Sequence, residues 1–273
     1  MIADVQIAVV TGGGHGIGRA LCRRLHRDGI KVVVADLDLS AAETVAAEVN
    51  GIAIRVDVAD ESDIVALVER VEDEIGNIDL FISNAGVGFG DADDSAASAH
   101  GGMHDIDDRW EACWQVNVMA HVYAARILVP RMLGRGGGYL VNVASAAGLL
   151  AQIGDAAYTA TKHAAVGFAE SLAITHGDAG IRVSVVCPQA VATRMIGIED
   201  DSESMVGGFG GNEIDGILSA DEVANCVVDG VGAGEFMILP HPQVSDYVQR
   251  KASDHDRWIG GMQRLRRRLT GGQ

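Results

Sequence analysis

The stretch VQIAVVTGGGHGIG, Val5 to Gly18, decides the fold. Residues 5–10 read as a strand, and the near-continuous apolar runs KVVVA (31–35) and RVSVV (182–186) fit a sheet buried on both faces. Residues 11–18 are a glycine-rich turn, and residues 17–28 read as a helix. A strand running through such a turn into a helix has the physics of a dinucleotide site. Gly12 lets the backbone turn sharply, and Gly16 has no side chain to block a pyrophosphate. Gly18 lets the helix pack closely, while the helix N-terminus offers N–H donors and partial positive charge. Glycine alone collects in any tight turn; its place between strand and helix gives the signal its weight. Thr11, Gly14, His15 and Ile17 complete the candidate loop, with His15 equally readable as a phosphate contact or a plain loop residue.

Outward from that stretch the pattern alternates. Strands are expected at 31–35, 52–56, 79–82, 138–143, 181–186 and 235–239. Helices are expected at 40–49, 61–75, 108–133 and 156–177. In the 61–75 segment, Ile64, Leu67, Val68, Val71 and Ile75 share one helical face. Strands separated by helices imply right-handed crossovers and a parallel sheet. The expected fold class is α/β: a single-domain, Rossmann-type, doubly wound parallel sheet with helices on both faces. One dinucleotide-binding and catalytic domain spans 1–273, with a substrate lid at about 194–219 and a C-terminal extension at about 241–273. The segments 87–107 and 197–216 read as loops. The second strand ends at Asp36, about 18 residues past Gly18 and close to the ~20 expected of a ribose-binding acid. A carboxylate there accepts from both ribose hydroxyls and repels a 2′-phosphate. Leu37 follows it rather than an arginine, so the reading favours NAD over NADP.

Bulk composition narrows the function. At 48% hydrophobic residues in 273, the chain can bury a full core. A formal net charge of −17 disfavours nucleic acid and anionic membrane surfaces as partners. The basic cluster Arg264, Arg266, Arg267 and Arg268 reads as a helix end, where cations suit the dipole. Cys22, Cys113, Cys187 and Cys226 form no CxxC pair, so no disulfide framework or zinc knot is expected. With no signal-peptide pattern at the N-terminus and no long uncharged apolar run, the expected location is cytoplasmic.

Further marks follow in order: Asp57-Val58 after the third strand, Asn84-Ala85-Gly86 after the fourth, Asn117 in the next helix, and Ser145 after the fifth. Then come Tyr158 and Lys162 four residues apart, and the run Pro188-Gln189-Ala190-Val191-Ala192-Thr193 after the sixth strand. With the glycine loop, these make the chain resemble a short-chain dehydrogenase/reductase from residue 5 to about 240. Tyr158 and Lys162 share one face of a helix. A free phenol, with a pKa of about 10, is a poor base at neutral pH; a nearby ammonium and an oxidised nicotinamide both favour the phenolate. The expected roles are Tyr158 as acid/base, Lys162 as holder of the nicotinamide ribose, and Ser145 as hydrogen-bond partner of the substrate oxygen. The resemblance implies that Asn117 holds a water linking Lys162 to solvent. It implies that Asp57 and Val58 flank the adenine, that Asn84, Ala85 and Gly86 line the cofactor, and that Pro188, Val191 and Thr193 lie at the nicotinamide.

Two positions depart from the family pattern: Gln189 stands where glycine is usual, and Ser83 where asparagine is. Gln189 could point into the active site. His100 and His104 lie near Asp105, but Gly101 and Gly102 intervene, so no metal is expected. The lid carries Met195, Ile196, Ile198, Met205, Val206 and Phe209, which suits a small-molecule substrate that is a hydrophobic secondary alcohol or ketone: steroid-like, terpenoid or acyl. The resemblance also implies a homotetramer, or a homodimer, paired through the two long helices. The competing readings are an NADPH-dependent 3-oxoacyl-type carbonyl reductase and a non-catalytic NAD sensor.

Overall fold

The computed structural model describes residues 2–89, 103–198 and 215–269. Among them, seven strands form one parallel sheet: β1 (Ile7–Thr11), β2 (Lys31–Asp36), β3 (Ile52–Arg55), β4 (Leu80–Ser83), β5 (Gly138–Val143), β6 (Ile181–Val186) and β7 (Met237–Ile238). Their spatial order is β3-β2-β1-β4-β5-β6-β7, so the order reverses between β1 and β4. That reversal opens a crevice at the carboxyl ends of the strands, where ligands of such sheets bind.

Helices α1 (Gly16–Arg27), α2 (Leu39–Glu48) and α7 (Ala220–Ala233) cover one face; α3 (Glu61–Glu74), α5 (Ala120–Gly134) and α6 (Ala156–His176) cover the other. Alternate residues of each strand feed opposite cores. Val10, Val34, Ile82 and Val141 pack with Leu21, Leu25, Val45 and Val227. Val9, Val33, Phe81 and Leu140 pack with Leu67, Val71, Leu128 and Ala165. This is the doubly wound architecture expected from the alternation.

The expected helix at 108–133 begins earlier and is interrupted. Helix α4 runs from Met103 to Trp114, then Gln115–Met119 is π-helical before α5. The loop reading of 87–107 therefore fails from residue 103 onward. In the sequence, Met103, Ile106 and Trp110 already stand at helical spacing within the acidic stretch. Asp91, Asp93, Asp94 and His100 lie outside the described residues, as do Met205, Val206 and Phe209 of the expected lid. Beyond β7 the chain forms α8 (Gln243–Ser253) and α9 (His255–Leu269); Arg266, Arg267 and Arg268 fall in the last turn of α9, the helix-end placement read from the sequence. No described helix is long and apolar enough to cross a membrane.

Candidate active site

The glycine loop is shaped by contacts that leave no room for a Cβ. Gly12 has φ +62° and Gly16 φ +47°, both in the left-handed region that glycine tolerates. A Cβ on Gly18 would stand 1.9 Å from the Gly12 carbonyl oxygen, which is why α1 can start directly on the turn. Thr11 and Asn84 staple β1 to β4 behind the loop. The Thr11 hydroxyl accepts from the N–H groups of Asn84 (3.0 Å) and Ala85 (3.2 Å). In return the Asn84 amide donates to the carbonyls of Thr11 (3.0 Å) and Gly12 (3.2 Å).

The loop suits an anion. His15 at the N-cap position supplies no side-chain cap, and the first turn of α1 holds no acidic residue. Asp36, at the tip of β2, accepts from the N–H of Gly14 at 2.8 Å and of Asp38 at 3.0 Å. Leu37 beside it is 56% exposed. The nearby cations Arg19 and Arg23 both pair with Glu48, while His15 stands 3.8 Å from Asp38. Val58 is buried, and Asp57 ties itself to the start of α3 by donating its N–H to Asp63.

On the other side of the crevice, Ser145, Tyr158 and Lys162 converge. Ser145 follows β5; its hydroxyl accepts from the Ala147 N–H at 3.1 Å and donates weakly to the Pro188 carbonyl at 3.4 Å. Lys162 is buried, its ammonium donating to the Val143 carbonyl at 3.1 Å and lying 5.5 Å from the centre of the Tyr158 ring. Burial pulls Lys162 down to about 8, against the opposing influence of Cys187 and Cys113. Burial also pushes Tyr158 up to about 12, opposed by the Ser145 hydroxyl and reinforced by Asp155, Cys113 and Cys187. The expectation of a phenol lowered by the neighbouring ammonium is thus reversed in the protein itself. The ammonium is desolvated too, and burial penalises the charged form of both groups.

The Asn117 side chain is spent on backbone. Its Oδ1 accepts from the Val87 N–H and its Nδ2 donates to the Val87 carbonyl, both at 2.9 Å, with a further bond to Thr161 at 3.2 Å. It borders Lys162 across Gly86, where a Cβ would stand 3.3 Å from both Asn117 Oδ1 and Lys162 Nζ. Val191 is buried and bridges to Leu218, and the Thr193 hydroxyl donates to the Val191 carbonyl at 3.2 Å. Ile17 packs partly buried against the α1 face.

One positioning residue escaped the sequence reading. Asp155 caps α6, accepting from the Tyr158 N–H at 2.8 Å, and its other oxygen accepts from the Phe89 N–H at 3.2 Å. It thereby fixes the first turn of α6 and draws the 87–89 backbone across the tyrosine, where a Cβ on Gly88 would stand 3.1 Å from the ring. An aspartate three residues before Tyr158 at a helix start is an N-cap signature that the sequence did offer.

Comparison with known proteins agrees with this geometry. The family model described as short chain dehydrogenase matches residues 6–203. This chain is a short-chain dehydrogenase. Among its relatives in that family, 1-deoxy-11-beta-hydroxypentalenate dehydrogenase of Streptomyces exfoliatus is 35% identical over 246 residues, covering 88% of this chain and 84% of the relative. The 3beta-hydroxysteroid dehydrogenase 2 of Eggerthella lenta is 33% identical, covering 72% of this chain and 76% of its own length. Among solved structures, a short chain dehydrogenase/reductase from Burkholderia phymatum in complex with NAD has a TM-score of 0.79 at 28% identity, covering 94% of this chain and 96% of that one. As a short-chain dehydrogenase, the chain has a dinucleotide crevice between β1 and β4 and the Ser145–Tyr158–Lys162 cluster beside it.

Proposed function

We propose that this protein is an NAD-dependent dehydrogenase that moves a hydride between the nicotinamide and the carbinol or carbonyl carbon of a hydrophobic secondary alcohol or ketone. The observation that carries the reading is the convergence of Ser145, Tyr158 and Lys162 in one cluster at the carboxyl end of β5, with Ser145 and Lys162 buried and Tyr158 half-buried. The crevice would hold NAD⁺, which would supply the hydride acceptor and, while oxidised, a positive charge favouring the phenolate. Tyr158 takes the alcohol proton during oxidation and returns it during reduction. The Ser145 hydroxyl turns from its long bond to the Pro188 carbonyl toward the substrate oxygen, an exchange made cheap by that bond's 3.4 Å length. Lys162, pulled down to about 8, can gain or lose a proton near neutral pH while its remaining N–H groups hold the nicotinamide ribose. Asn117 fixes the Val87 backbone beside the site through both polar atoms of its amide.

Asp36 favours NAD over NADP. Its carboxylate is held by backbone N–H groups where a 2′-phosphate would come, and the exposed Leu37 offers that phosphate no cation. The apolar substrate class rests on Ile196 and Ile198 packing with Ala190, Ala192 and Ile217 below Thr193, and on the relatives that act on a hydroxypentalenate and a hydroxysteroid. A cytoplasmic location and pairing through α5 and α6 belong to the same reading; Ile174, 84% exposed on α6, is apolar surface that such pairing would cover.

The test is NAD⁺ reduction over a panel of alcohols from steroid to polyol, with wild type and Tyr158→Phe, repeated with NADP⁺. Apolar secondary alcohols are expected to turn over fastest, and the Phe variant to lose about 10³-fold in kcat/KM. Polyols outpacing apolar alcohols would sink the substrate class. An unimpaired Phe variant would sink the mechanism.

A further inference from the structure

A buried donor and a buried acceptor without hydrogen-bond partners belong to two residues that touch at the carboxyl end of the sheet. His241, just beyond β7, is 2% exposed. The Gln189 N–H donates to its Nδ1 at 3.2 Å. A neutral imidazole that accepts at Nδ1 carries its hydrogen on Nε2. Burial holds His241 in that neutral form, against the pull of Asp215, the Ala190 carbonyl and Glu222. The Ala190 carbonyl lies near the ring, but no acceptor meets the Nε2–H at hydrogen-bond geometry among the described residues, and none of them donates to the buried Gln189 Oε1. Buried polar groups in folded proteins are nearly always paired, so two of opposite sense on contacting residues point to a group that satisfies both.

Their place says which group. The Pro188 carbonyl, one residue before Gln189, accepts the Ser145 hydroxyl. The residues after Gln189 pair with the return of the expected lid: Leu218 donates its N–H to the Ala190 carbonyl at 3.2 Å and accepts from the Ala192 N–H at 2.8 Å. The chain around Gln189 therefore runs from the Ser145 contact to the foot of the lid, at the end of the sheet opposite Asp36 and the glycine loop.

Resting on the reading of the site as an alcohol dehydrogenase, we infer that Gln189 and His241 form a second polar anchor, which takes a hydroxyl of the substrate distant from the reacting carbon. The His241 Nε2–H donates to that hydroxyl's oxygen, and the hydroxyl donates to Gln189 Oε1. A carboxylate only accepts, so it would leave Gln189 Oε1 unpaired; a wholly apolar substrate would leave both atoms unpaired. The substrate class is thus narrowed to a largely apolar secondary alcohol carrying a second hydroxyl. Glycine, which the family pattern has at position 189, has no side chain to supply this acceptor.

The experiment compares kcat/KM with NAD⁺ for matched rigid alcohols, each skeleton tested with and without a second hydroxyl at varied positions. Wild type, Gln189→Leu and His241→Phe are used, with thermal midpoint and NAD⁺ binding as controls for folding. A site that hydrogen-bonds a substrate hydroxyl discriminates steeply against the analogue lacking it, so wild type is expected to favour one diol by at least about tenfold. Each variant is expected to bring that ratio close to one. A wild-type ratio near one across all pairs overturns the anchor alone, and so do folded, NAD⁺-binding variants that keep the ratio; the pair then holds a buried water. Absence of turnover with every alcohol fells the parent reading and the anchor with it. Should a variant fail to fold, the wild-type ratio decides.

Discussion

Along the carboxyl edge of the sheet, the β1–β2 end is built from side chains that are missing, and the β5–β7 end from polar side chains that are buried. Around the cofactor crevice the backbone closes on itself. Gly12 turns left-handed, Gly18 rides against the Gly12 carbonyl, and Thr11, Asn84 and Asp36 spend their polar atoms on neighbouring backbone. At the β5–β7 end, Lys162, His121 and His241 are each at most 3% exposed, and burial moves all three away from their ordinary pKa values. The first region is defined chiefly by sterics. The second is defined chiefly by desolvation. One methyl group should therefore damage the first most, and a change of charge the second.

The largest effect that would break this contrast concerns Gly18→Ala. The new Cβ would stand 1.9 Å from a backbone oxygen, so α1 or the turn must move. We expect a stability loss of about 3 kcal/mol in urea unfolding, at the upper end of the usual cost of overpacking, together with weakened NAD⁺ binding. A variant as stable as wild type would show that the loop is not sterically set.

Asp36 tests the same region by charge. Asp36→Ala combined with Leu37→Arg should raise the NADP⁺/NAD⁺ ratio of kcat/KM by about 10- to 100-fold, since about 1.4 kcal/mol is tenfold and both repulsion and missing cation are addressed. The loss of the Gly14 N–H bond to Asp36 should cost stability only about 1 kcal/mol. An unchanged ratio would remove Asp36 from cofactor selection.

This contrast also explains what the sequence made legible. The glycine turn, Asp36 and the strand–helix alternation are local patterns, and each lies where its spacing placed it. The early start of α4 was hidden because the aspartates and glycines of 87–107 read as loop, although Met103, Ile106 and Trp110 were in helical phase. The upward shift of Tyr158 in the cofactor-free protein was missed because the positive charge of Lys162 is visible in a sequence and the desolvation of the phenol is not. Gln189 stood out as a departure from pattern. His241, 52 residues further on, could be joined to it only by the folding that brings the ends of β6 and β7 side by side.

His121 gives the smallest and most particular test of the desolvated region. It sits one turn beyond Asn117, 2% exposed, with neither ring nitrogen hydrogen-bonded among the described residues. Burial, and secondarily the charge of Lys162, lowers its pKa from 6.5 to about 3. In the unfolded chain the ring takes up a proton as the pH falls through 6.5, whereas the folded protein does not follow until about 3. The unfolded state binds more protons across that window, so stability drops as pH drops, by about 1.4 kcal/mol per pH unit for one group. Relative to His121→Leu, wild type should therefore lose stability progressively in urea unfolding at pH 6, 5 and 4, while the difference between the two stays constant above pH 7. Parallel curves for the two proteins throughout would mean that water or a partner reaches the ring, and that desolvation does not govern this end of the sheet.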